Sequence, residues 1–345
     1  MNYGVEEIME TKNIKEKSNS QFIRLGIPSK GRMASETQDF FNSCGFKIRR
    51  NRQQYIGWLE GFPNMQIVFQ RQKDIISGVL NGNLTFGIVG LDILTELTLE
   101  DPDKIVIIHN DLGFGKCTLE VSIPDNWKEI SMKDLKQRKP ILRVASKFPL
   151  LTKGFFNRHE LDFELIKAEG TLEVTPTLGY SDIIVELVST GQTLKDNRLK
   201  RLQDGCILQS QACFIANRKI IKENQNALDI SRTFLEYFEA TIRAKDYVSV
   251  FINMRGKDPD NIAKKMFTKE SLRGLQGPTI SSVISSEGGS WFAIHIIIEK
   301  KKLTETIRAL REIGGSGVVV SPTLFIFEEE PKRYKDLLKN LEDNG

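Results

Sequence analysis

The chain has 345 residues, of which 40% are hydrophobic and 27% charged, ordinary values for a globular protein with a core of its own. Its net charge of +4 is too small for this length to indicate binding to nucleic acid or to an anionic membrane surface. No apolar run approaches the roughly 20 residues that a membrane-spanning helix needs. We therefore expect a soluble protein with no nucleic-acid partner and no membrane partner, in which a local site holds any anionic ligand.

Cysteine and histidine spacing argues against a fold stapled by zinc or disulfides. The 4 cysteines show no CxxC spacing and the 3 histidines are far apart, which is typical of a protein in a reducing compartment. Without a Cys/His pairing, Cys117, His109 and His295 are predicted to be packed structural residues. Residues 1–21 resemble neither a secretory signal nor a transit peptide, and we predict a disordered tail there.

From Phe22 onward, β-rich runs alternate with helical patterns. The first strand candidates are FIRLGIP, MQIVFQ, TFGIVG and KIVIIHN, and the second set is KCTLEVSIP, ILRVAS, DFELIKA and SDIIVELVS. This alternation predicts an α/β fold of two lobes with a largely parallel sheet. Further on, GCILQSQACFIANR adds one or two strands, and the helical pattern ALDISRTFLEYFEATIRA is expected to close the two-lobe unit.

The pattern changes at Tyr247 to strand, helix, strand, strand, helix, strand. The segments are YVSVFINM, DPDNIAKKMF, TISSVISS, WFAIHIIIE, KLTETIRALREIG and GVVVSPTLFIF. This βαββαβ order predicts a ferredoxin-like domain, a fold found in many small regulatory modules. Since a fold alone assigns no function, the regulatory role needs other evidence.

The stretch from Glu173 to Leu194 carries the strongest functional pattern. An apolar strand with Glu186 near its end runs into a turn before the next helical pattern. The turn consists of Ser189, Thr190, Gly191, Gln192 and Thr193. Free backbone N–H groups and hydroxyls in such a turn suit a phosphate, and the carboxylate suits two sugar hydroxyls. The alternative, a Ser/Thr helix cap beside a glycine turn, stays open on these residues alone.

Charged residues and turns also follow three strands of the first lobe. Lys30 and Arg32 open the first helix, whose positive end favours an anion such as a polyphosphate. Arg71 follows the second strand, and Gly90 and Asp92 follow the third. Because open α/β sheets bind ligands at the carboxyl ends of their strands, we predict a site there. The alternatives are solvated cations and an N-cap aspartate.

In their order along the chain, these segments resemble ATP phosphoribosyltransferase, in the long form with a C-terminal regulatory domain and most closely its plant-type branch. The matching stretches include RLGIPSKGRM, FQRQKDI, FGIVGLDIL, LRVASKFPLLTKGFF, GTLEVTPTLGYSDIIVELVSTGQTLKDNRL, SQACFIANR, LQGPTISSV and IGGSGVVVSPTLFIF. The resemblance implies the first step of histidine biosynthesis, in which ATP and 5-phosphoribosyl-1-pyrophosphate (PRPP) give N1-(5-phosphoribosyl)-ATP and pyrophosphate. It also implies two lobes like those of type II periplasmic binding proteins and an ACT-like C-terminal domain that binds histidine as a feedback inhibitor.

The resemblance assigns roles to individual residues. Lys30, Arg32 and Arg71 are the catalytic candidates, which stabilise charge on the leaving pyrophosphate. The substrate-binding candidates are Gly90, Asp92, Glu173, Glu186, Ser189, Thr190, Gly191 and Thr193. The candidates for histidine binding are Leu275, Thr279 and Gly315. Mg²⁺ is expected to bind mainly through substrate phosphates, so no residue is predicted as a metal ligand.

The resemblance also implies a domain plan and an assembly. The plan comprises a disordered tail (1–21), lobe I (22–112 plus 205–243), lobe II with the PRPP loop (113–204), a regulatory domain (244–330) and a C-terminal tail (331–345). The expected assembly is a homo-oligomer, from dimer to hexamer. The expected location is the cytoplasm, or a plastid if the source is a plant or alga.

Two departures from the family pattern keep an alternative function open. Glu186 stands where the family usually has aspartate, and a glutamine stands where it usually has arginine near the predicted hairpin, with Arg52 one or two positions away. A neutral amide cannot stabilise pyrophosphate as a guanidinium does. The alternative is a catalytically impaired paralogue that senses histidine or nucleotide for a partner enzyme. A solute-binding protein of the same lobe architecture is disfavoured because no export signal is visible.

Overall fold

The computed structural model describes residues 22–50, 54–99, 101–167, 170–284 and 289–343. The tail predicted at 1–21 and Arg52 of the predicted hairpin lie outside these ranges. The chain divides into two compact units, residues 1–232 with 332–345, and residues 233–331. Within the described ranges, no helix is long and apolar enough to cross a membrane.

The first unit consists of strands that alternate with helices. Its elements up to the unit boundary are β1 (Ile23–Pro28), α1 (Arg32–Ser43), β2 (Ile48–Arg49), β3 (Ile56–Leu59), β4 (Met65–Gln70), α2 (Gln72–Leu80), β5 (Phe86–Gly90), α3 (Leu91–Thr98), β6 (Ile105–His109), β7 (Cys117–Pro124), α4 (Met132–Arg138), β8 (Leu142–Ser146), α5 (Pro149–Arg158), β9 (Phe163–Lys167), β10 (Ile183–Val188), α6 (Gln192–Asp196), β11 (Leu199–Ser210), β12 (Ala212–Asn217), α7 (Arg218–Glu223) and α8 (Gln225–Ala244), with a 3₁₀ turn at Pro102–Lys104. The alternation predicted from the sequence is confirmed.

Both sheets of this unit are mixed. The first has the order β2-β3-β4-β1-β5-β12-β6, with β1 parallel to β4 and β5 and with β12 antiparallel to β5 and β6. The second has the order β11-β7-β10-β8-β9, with β8 parallel to β9 and β10 and with β7 antiparallel to β10 and β11. The sequence predicted a largely parallel sheet. The difference arises because β7 and β12, the first strands after each crossing between the sheets, run against their parallel neighbours, and because β3 is antiparallel to β2 and β4.

Two short crossings join the sheets, residues 110–116 between β6 and β7 and Gln211 between β11 and β12. At the first crossing, Thr118 of β7 pairs with Val188 at the end of β10. At the second, Ala212 of β12 pairs with Gly90 at the end of β5. The crossings therefore connect the carboxyl ends of the parallel strands in one sheet to those in the other. Ligands of open α/β sheets bind at this kind of edge.

A continuous core underlies both sheets. One cluster of buried side chains contains Val89 and Ile215 of the first sheet together with Val121, Val144 and Val185 of the second. Burial of aliphatic side chains on this scale is the main favourable contribution to folding.

A carboxylate also joins the two parts of the unit. Glu96 of α3 is 4% exposed and accepts hydrogen bonds from the backbone N–H groups of Leu150 (2.8 Å) and Leu151 (2.9 Å). These amides lie in the first turn of α5, where N–H groups lack partners within the helix and a negative charge is favourable.

The second unit has the predicted βαββαβ order. Its elements, after the end of α8, are β13 (Tyr247–Arg255), α9 (Pro259–Phe267), β14 (Thr279–Val283), β15 (Trp291–Glu299), α10 (Leu303–Glu312) and β16 (Gly315–Pro322), with 3₁₀ turns at Glu270–Leu272 and Lys300–Lys302. The sheet is antiparallel in the order β14-β15-β13-β16. Alternate residues such as Val250, Ile252, Ile294 and Ile296 lie in the core, so the helices cover one face.

The segment predicted as a tail from residue 331 contains a helix, α11 (Lys332–Asp343), which belongs to the first unit. Its side chains of Tyr334, Leu337 and Leu341 are buried. They recur at helical spacing and form the apolar face of the helix.

Candidate active site

Two of the predicted cations lie where β1 leads into α1, at the carboxyl edge of the first sheet, with Lys30 in the turn and Arg32 as the first residue of α1. Lys30 is exposed, and Gly31 precedes the helix with φ 74°, a backbone conformation that favours glycine. Arg32 donates a hydrogen bond to the backbone carbonyl of Lys116 at 3.4 Å and lies 3.7 Å from a Glu36 carboxylate oxygen. Arg32 therefore links the first turn of α1 to the crossing at 110–116 while its side chain stays 51% exposed.

The strands on either side of β1, β4 and β5, also end at this edge. Arg71 is exposed and caps α2 with an extended backbone (φ −73°, ψ 151°). The side-chain oxygen of Gln72 accepts a 2.6 Å hydrogen bond from the backbone N–H of Gly90. This bond ties the start of α2 to the end of β5, so the turns that carry Arg71 and Gly90 are linked at one edge although β1 lies between their strands.

Asp92 is buried rather than open to the edge, with 6% exposure. Its carboxylate accepts a 2.6 Å hydrogen bond from the Ser210 hydroxyl, and its backbone N–H donates to the same hydroxyl at 2.9 Å. A Cβ at Gly90 would lie 2.3 Å from Asp92 Oδ1, so only glycine leaves room for this carboxylate. Because Ser210 ends β11, the pair holds the start of α3 against the second crossing.

Two thiols and an imidazole near the crossings are held in their neutral forms. Burial, together with the nearby Asp92 charge, raises the pKa of Cys117, and the same causes raise the pKa of Cys213 to about 12. Burial lowers the pKa of His109 to about 3. The Nδ1 atom of His109 accepts a hydrogen bond from the backbone N–H of Asp111 at 3.2 Å.

At the carboxyl edge of the second sheet, Glu186 lies near the end of β10 with its side chain 13% exposed. The Lys147 ammonium, directly after β8, lies 3.3 Å from its carboxylate. Across the antiparallel pair, Glu120 of β7 is the direct partner of Glu186. Side chains of such partners project to the same face of the sheet, and Glu120 is 6% exposed.

The turn that follows β10 is open to solvent. Ser189, Thr190 and Thr193 are exposed, and Gly191 adopts φ 78°, which glycine permits at no steric cost. The backbone N–H of Gln192 donates to the Thr190 hydroxyl at 3.4 Å. The first turn of α6 begins here, so backbone donors and hydroxyls share one small region that an anion can occupy.

Glu173 lies half-buried in the segment that precedes β10. Its neighbour Leu172 packs in a cluster with Ile184, Val188 and Leu194. Ile184 lies on the same face of β10 as Glu186, two residues away. The cluster therefore anchors the Glu173 segment over the face of the sheet that carries Glu186.

The predicted site residues fall into three groups. Lys30, Arg32, Arg71, Gly90 and Asp92 lie along the edge of the first sheet, and Glu173, Glu186, Ser189, Thr190, Gly191 and Thr193 lie at the edge of the second. Leu275, Thr279 and Gly315 lie in the second unit. Thr279 begins β14 and Gly315 begins β16, which form opposite edges of the four-stranded sheet. Within one chain the structure does not bring these two residues together.

Lys147 and Glu120 are the neighbours of Glu186 that sequence reasoning missed. The signals for Lys147 are its position between the strand ILRVAS and the helix that follows, at the edge where ligands bind, and its place in the matching stretch LRVASKFPLLTKGFF. Glu120 had a weaker signal, a single carboxylate inside the apolar strand KCTLEVSIP.

Comparisons with known proteins agree with this architecture. A family model described as ATP phosphoribosyltransferase matches residues 71–236, and one described as HisG, C-terminal domain, matches residues 244–323. The chain is 40% identical over 333 residues to ATP phosphoribosyltransferase 2, chloroplastic, of Arabidopsis thaliana, covering 92% of this chain and 80% of that protein. It is 30% identical to the ATP phosphoribosyltransferase of Methanosarcina barkeri, covering 87% of this chain and 98% of that one.

A solved structure also shares the fold. It is described as the ATP phosphoribosyl transferase (HisG:HisZ) complex from Thermotoga maritima, and it matches with a TM-score of 0.50 at 21% identity, over 63% of this chain and 97% of that chain. The predicted fold class and family are confirmed. The chain belongs to the ATP phosphoribosyltransferase family in its long form with a C-terminal domain, and is a pentosyltransferase of the first step of histidine biosynthesis.

Proposed function

We propose that the two facing edges of the first unit divide the substrates of this reaction between them. The second edge binds the phosphoribosyl half of PRPP, and the first edge contributes cations to its pyrophosphate. The observation that carries this assignment is the largely buried Glu186, whose strand runs two residues further into an exposed turn of glycine and hydroxyl residues. A carboxylate and a phosphate cradle at this spacing match a phosphorylated sugar.

In this proposal the turn from Ser189 to Thr193 holds the 5′-phosphate. Backbone N–H groups at the start of α6 and the exposed hydroxyls donate to the phosphate oxygens. Glu186 accepts hydrogen bonds from the ribose hydroxyls, and Glu173 approaches the same sugar from the segment above. Each such contact to a charged acceptor contributes about 1.5 to 3 kcal/mol.

The transfer step joins N1 of the ATP adenine to C1 of the ribose as the bond from C1 to pyrophosphate breaks, with inversion at C1. Because N1 already carries a lone pair, no strong general base is required. The demand on the protein is to align two anionic substrates and to stabilise the charge that builds on pyrophosphate. Lys30, Arg32 and Arg71 meet the second demand from the opposite edge.

In this scheme Mg²⁺ is bound by the substrate phosphates and not by a cluster of protein ligands. Among the described residues, no group of three or more His, Cys, Asp or Glu side chains could hold a metal ion, and the Asp92 carboxylate is already bonded to Ser210. Mg²⁺ commonly binds through substrate phosphates and retains several waters. When bound in that way, it neutralises part of the pyrophosphate charge.

The second unit is proposed to bind histidine as a feedback inhibitor, through Leu275, Thr279 and Gly315. Because β14 and β16 are separated by two strands, residues on them lie roughly 14 Å apart. One histidine molecule cannot span that distance. The proposal therefore includes a homo-oligomer, a dimer or hexamer, in which two copies contribute to each histidine site.

The predicted domain boundaries and location stay predictions. Two curated relatives from Arabidopsis thaliana are named chloroplastic. We propose that this chain acts in the cytoplasm, or in a plastid if its source is a plant or alga.

The test is the ultraviolet absorbance change on mixing the protein with ATP, PRPP and Mg²⁺, with and without histidine. We expect product to form with both substrates present and histidine to suppress it, since an inhibitor must bind the inactive state more tightly. Calorimetry of PRPP and histidine accompanies it. Ligand binding without turnover would overturn the enzymatic assignment and support the sensing paralogue that the displaced arginine suggests.

A further inference from the structure

We propose that Lys147 is a further PRPP-binding residue, which also positions Glu186. The proposal rests on the function assigned above and deepens it. It concerns the local charge balance at the edge of the second sheet.

The strand register brings the two side chains together. β8 and β10 are parallel neighbours in which Ser146 pairs with Val185. The next residues in each strand direction are Lys147 and Glu186, whose charged groups lie 3.3 Å apart. Lys147 follows the end of β8 and Glu186 lies two residues before the end of β10, so both lie at the edge where the 189–193 turn begins.

The turn that carries Lys147 is held by buried hydrogen bonds. The Ser146 hydroxyl, on a residue only 1% exposed, accepts from the backbone N–H of Phe148 at 2.9 Å and from the Thr152 hydroxyl at 3.0 Å. These bonds fix the backbone on either side of Lys147. Because the backbone around Lys147 is already fixed, less conformational entropy is lost when its ammonium binds a ligand.

The positive charge of Lys147 lies beside a pair of carboxylates that repel each other. Glu186 faces Glu120 directly across β7 and β10, and like charges at such positions destabilise each other. The Arg201 guanidinium, on a side chain that is 51% exposed, lies 3.9 Å from the Glu120 carboxylate. PRPP would add several negative charges beside these carboxylates. The Lys147 ammonium offsets that repulsion at the point where sugar and phosphate must meet.

Lys147 and Glu186 differ in how far their side chains are exposed to solvent. The Lys147 side chain is 38% exposed, whereas that of Glu186 is 13% exposed. An ammonium has three donors, and one contact to Glu186 leaves others for a phosphate oxygen. Lys147 can therefore hold the Glu186 carboxylate in place and contact PRPP at once.

The chain offers a matched control at the opposite ends of the same two strands. Lys139 lies 2.7 Å from Asp182, with side-chain exposures of 45% and 14%. Asp182 directly precedes β10, so this ion pair lies at the opposite end of the strand from Glu186. Its carboxylate keeps a second cation, Arg143, at 3.0 Å. Lys139→Met thus removes a similar charge from the same lobe far from the proposed PRPP site.

The test is calorimetric titration of PRPP and, separately, of ATP into wild type, Lys147→Met, Lys147→Gln, Lys147→Arg and Lys139→Met. We expect both neutral variants at Lys147 to raise the Kd for PRPP about tenfold or more, with the Kd for ATP changed less than about twofold. Lys147→Arg, which keeps the charge, should recover most of the loss. Lys139→Met should bind PRPP as wild type does.

Equal PRPP affinities in Lys147→Met and Lys139→Met would overturn the proposal, as would equal weakening of PRPP and ATP. A double substitution tests the positioning role. If Lys147 acts through Glu186, the losses from Lys147→Met and Glu186→Gln should not add, because the two side chains interact directly. Failure of the wild type to bind PRPP would instead contradict the proposed function.

Discussion

Asp92 and Glu186 are carboxylates at corresponding edges of the two sheets, and the chain surrounds them differently. Asp92 is 6% exposed and bonded to Ser210 through both its carboxylate and its backbone N–H. The Glu186 carboxylate accepts a 3.0 Å hydrogen bond from the backbone N–H of Leu187, and its other oxygen contacts the exposed Lys147 near an open turn. A carboxylate bonded to buried protein groups stabilises the fold, whereas one with a solvent-accessible partner can accept a ligand.

This difference bears on the roles predicted from the sequence. Both residues are predicted to bind substrate, because Asp92 follows an apolar strand and Glu186 lies near the end of another at a ligand-binding edge. The structure gives Asp92 an architectural contact between α3 and β11, and a substrate contact for it stays a prediction. Glu186 has the surroundings that the proposed PRPP site requires.

The largest effect should come from Glu186→Gln. The amide loses the charge that strengthens hydrogen bonds to the ribose hydroxyls, so we expect PRPP affinity to fall roughly a hundredfold. Thermal stability should change little, since repulsion from Glu120 is relieved as the Lys147 pair is lost. Calorimetry with PRPP checks this, and an affinity within threefold of wild type would contradict the role of Glu186.

Ser210→Ala should lower the stability of the fold and leave PRPP affinity unchanged, the reverse of Glu186→Gln. It leaves the buried Asp92 carboxylate without its hydroxyl donor, which should lower the free energy of unfolding by about 2 to 3 kcal/mol. Urea denaturation measures the change. Ser189→Ala in the exposed turn is the matched control, with an expected change within about 0.5 kcal/mol. Equal stability of the two variants would contradict the structural role of the bond between Asp92 and Ser210.

His109, at the end of β6, should make the stability of the folded chain depend on pH. Burial lowers its pKa to about 3, whereas an unfolded histidine titrates near its ordinary value of 6.5. The unfolded chain therefore binds a proton that the folded chain excludes, and stability should fall as pH drops from 6.5 towards 3. Between pH 7 and 5 the loss should be about 2 kcal/mol. His109→Phe should flatten this part of the stability curve, and an unchanged slope would contradict the assignment.

Asp182 should show the smallest effect. Burial opposes its ionisation, but hydrogen bonds from Arg143 and Lys139 outweigh burial and lower its pKa to about 2. The carboxylate then contributes stability above its unfolded pKa, and this contribution is lost as pH falls through about 2. Asp182→Asn should reduce stability at neutral pH by about 1 kcal/mol, with the deficit shrinking below pH 4. PRPP affinity should be unaffected, and a deficit that persisted at pH 2 would contradict the ion pair.

Local patterns predicted most of the elements but not how distant segments pair. Apolar runs identified β1, β4, β5 and β10, and the βαββαβ order identified the second unit. The antiparallel direction of β12 has no local signal, because it depends on where the chain returns from the other sheet. The bond between Asp92 and Ser210 joins residues 118 positions apart, and a lysine after a strand looks solvated until its register with Glu186 is known.

The most direct test of this account is the shift in melting temperature that saturating PRPP causes in wild type, Ser210→Ala and Glu186→Gln. A ligand that binds only the folded chain stabilises it by RT ln(1 + [L]/Kd). At about 100 times the wild-type Kd, a variant that binds roughly a hundredfold more weakly therefore gains only a small part of the wild-type shift. We predict similar upward shifts for wild type and Ser210→Ala, from a lower starting temperature in the latter, and almost no shift for Glu186→Gln. A full shift in Glu186→Gln, or none in Ser210→Ala, would contradict the claim that Glu186 binds PRPP whereas Asp92 stabilises the folded chain.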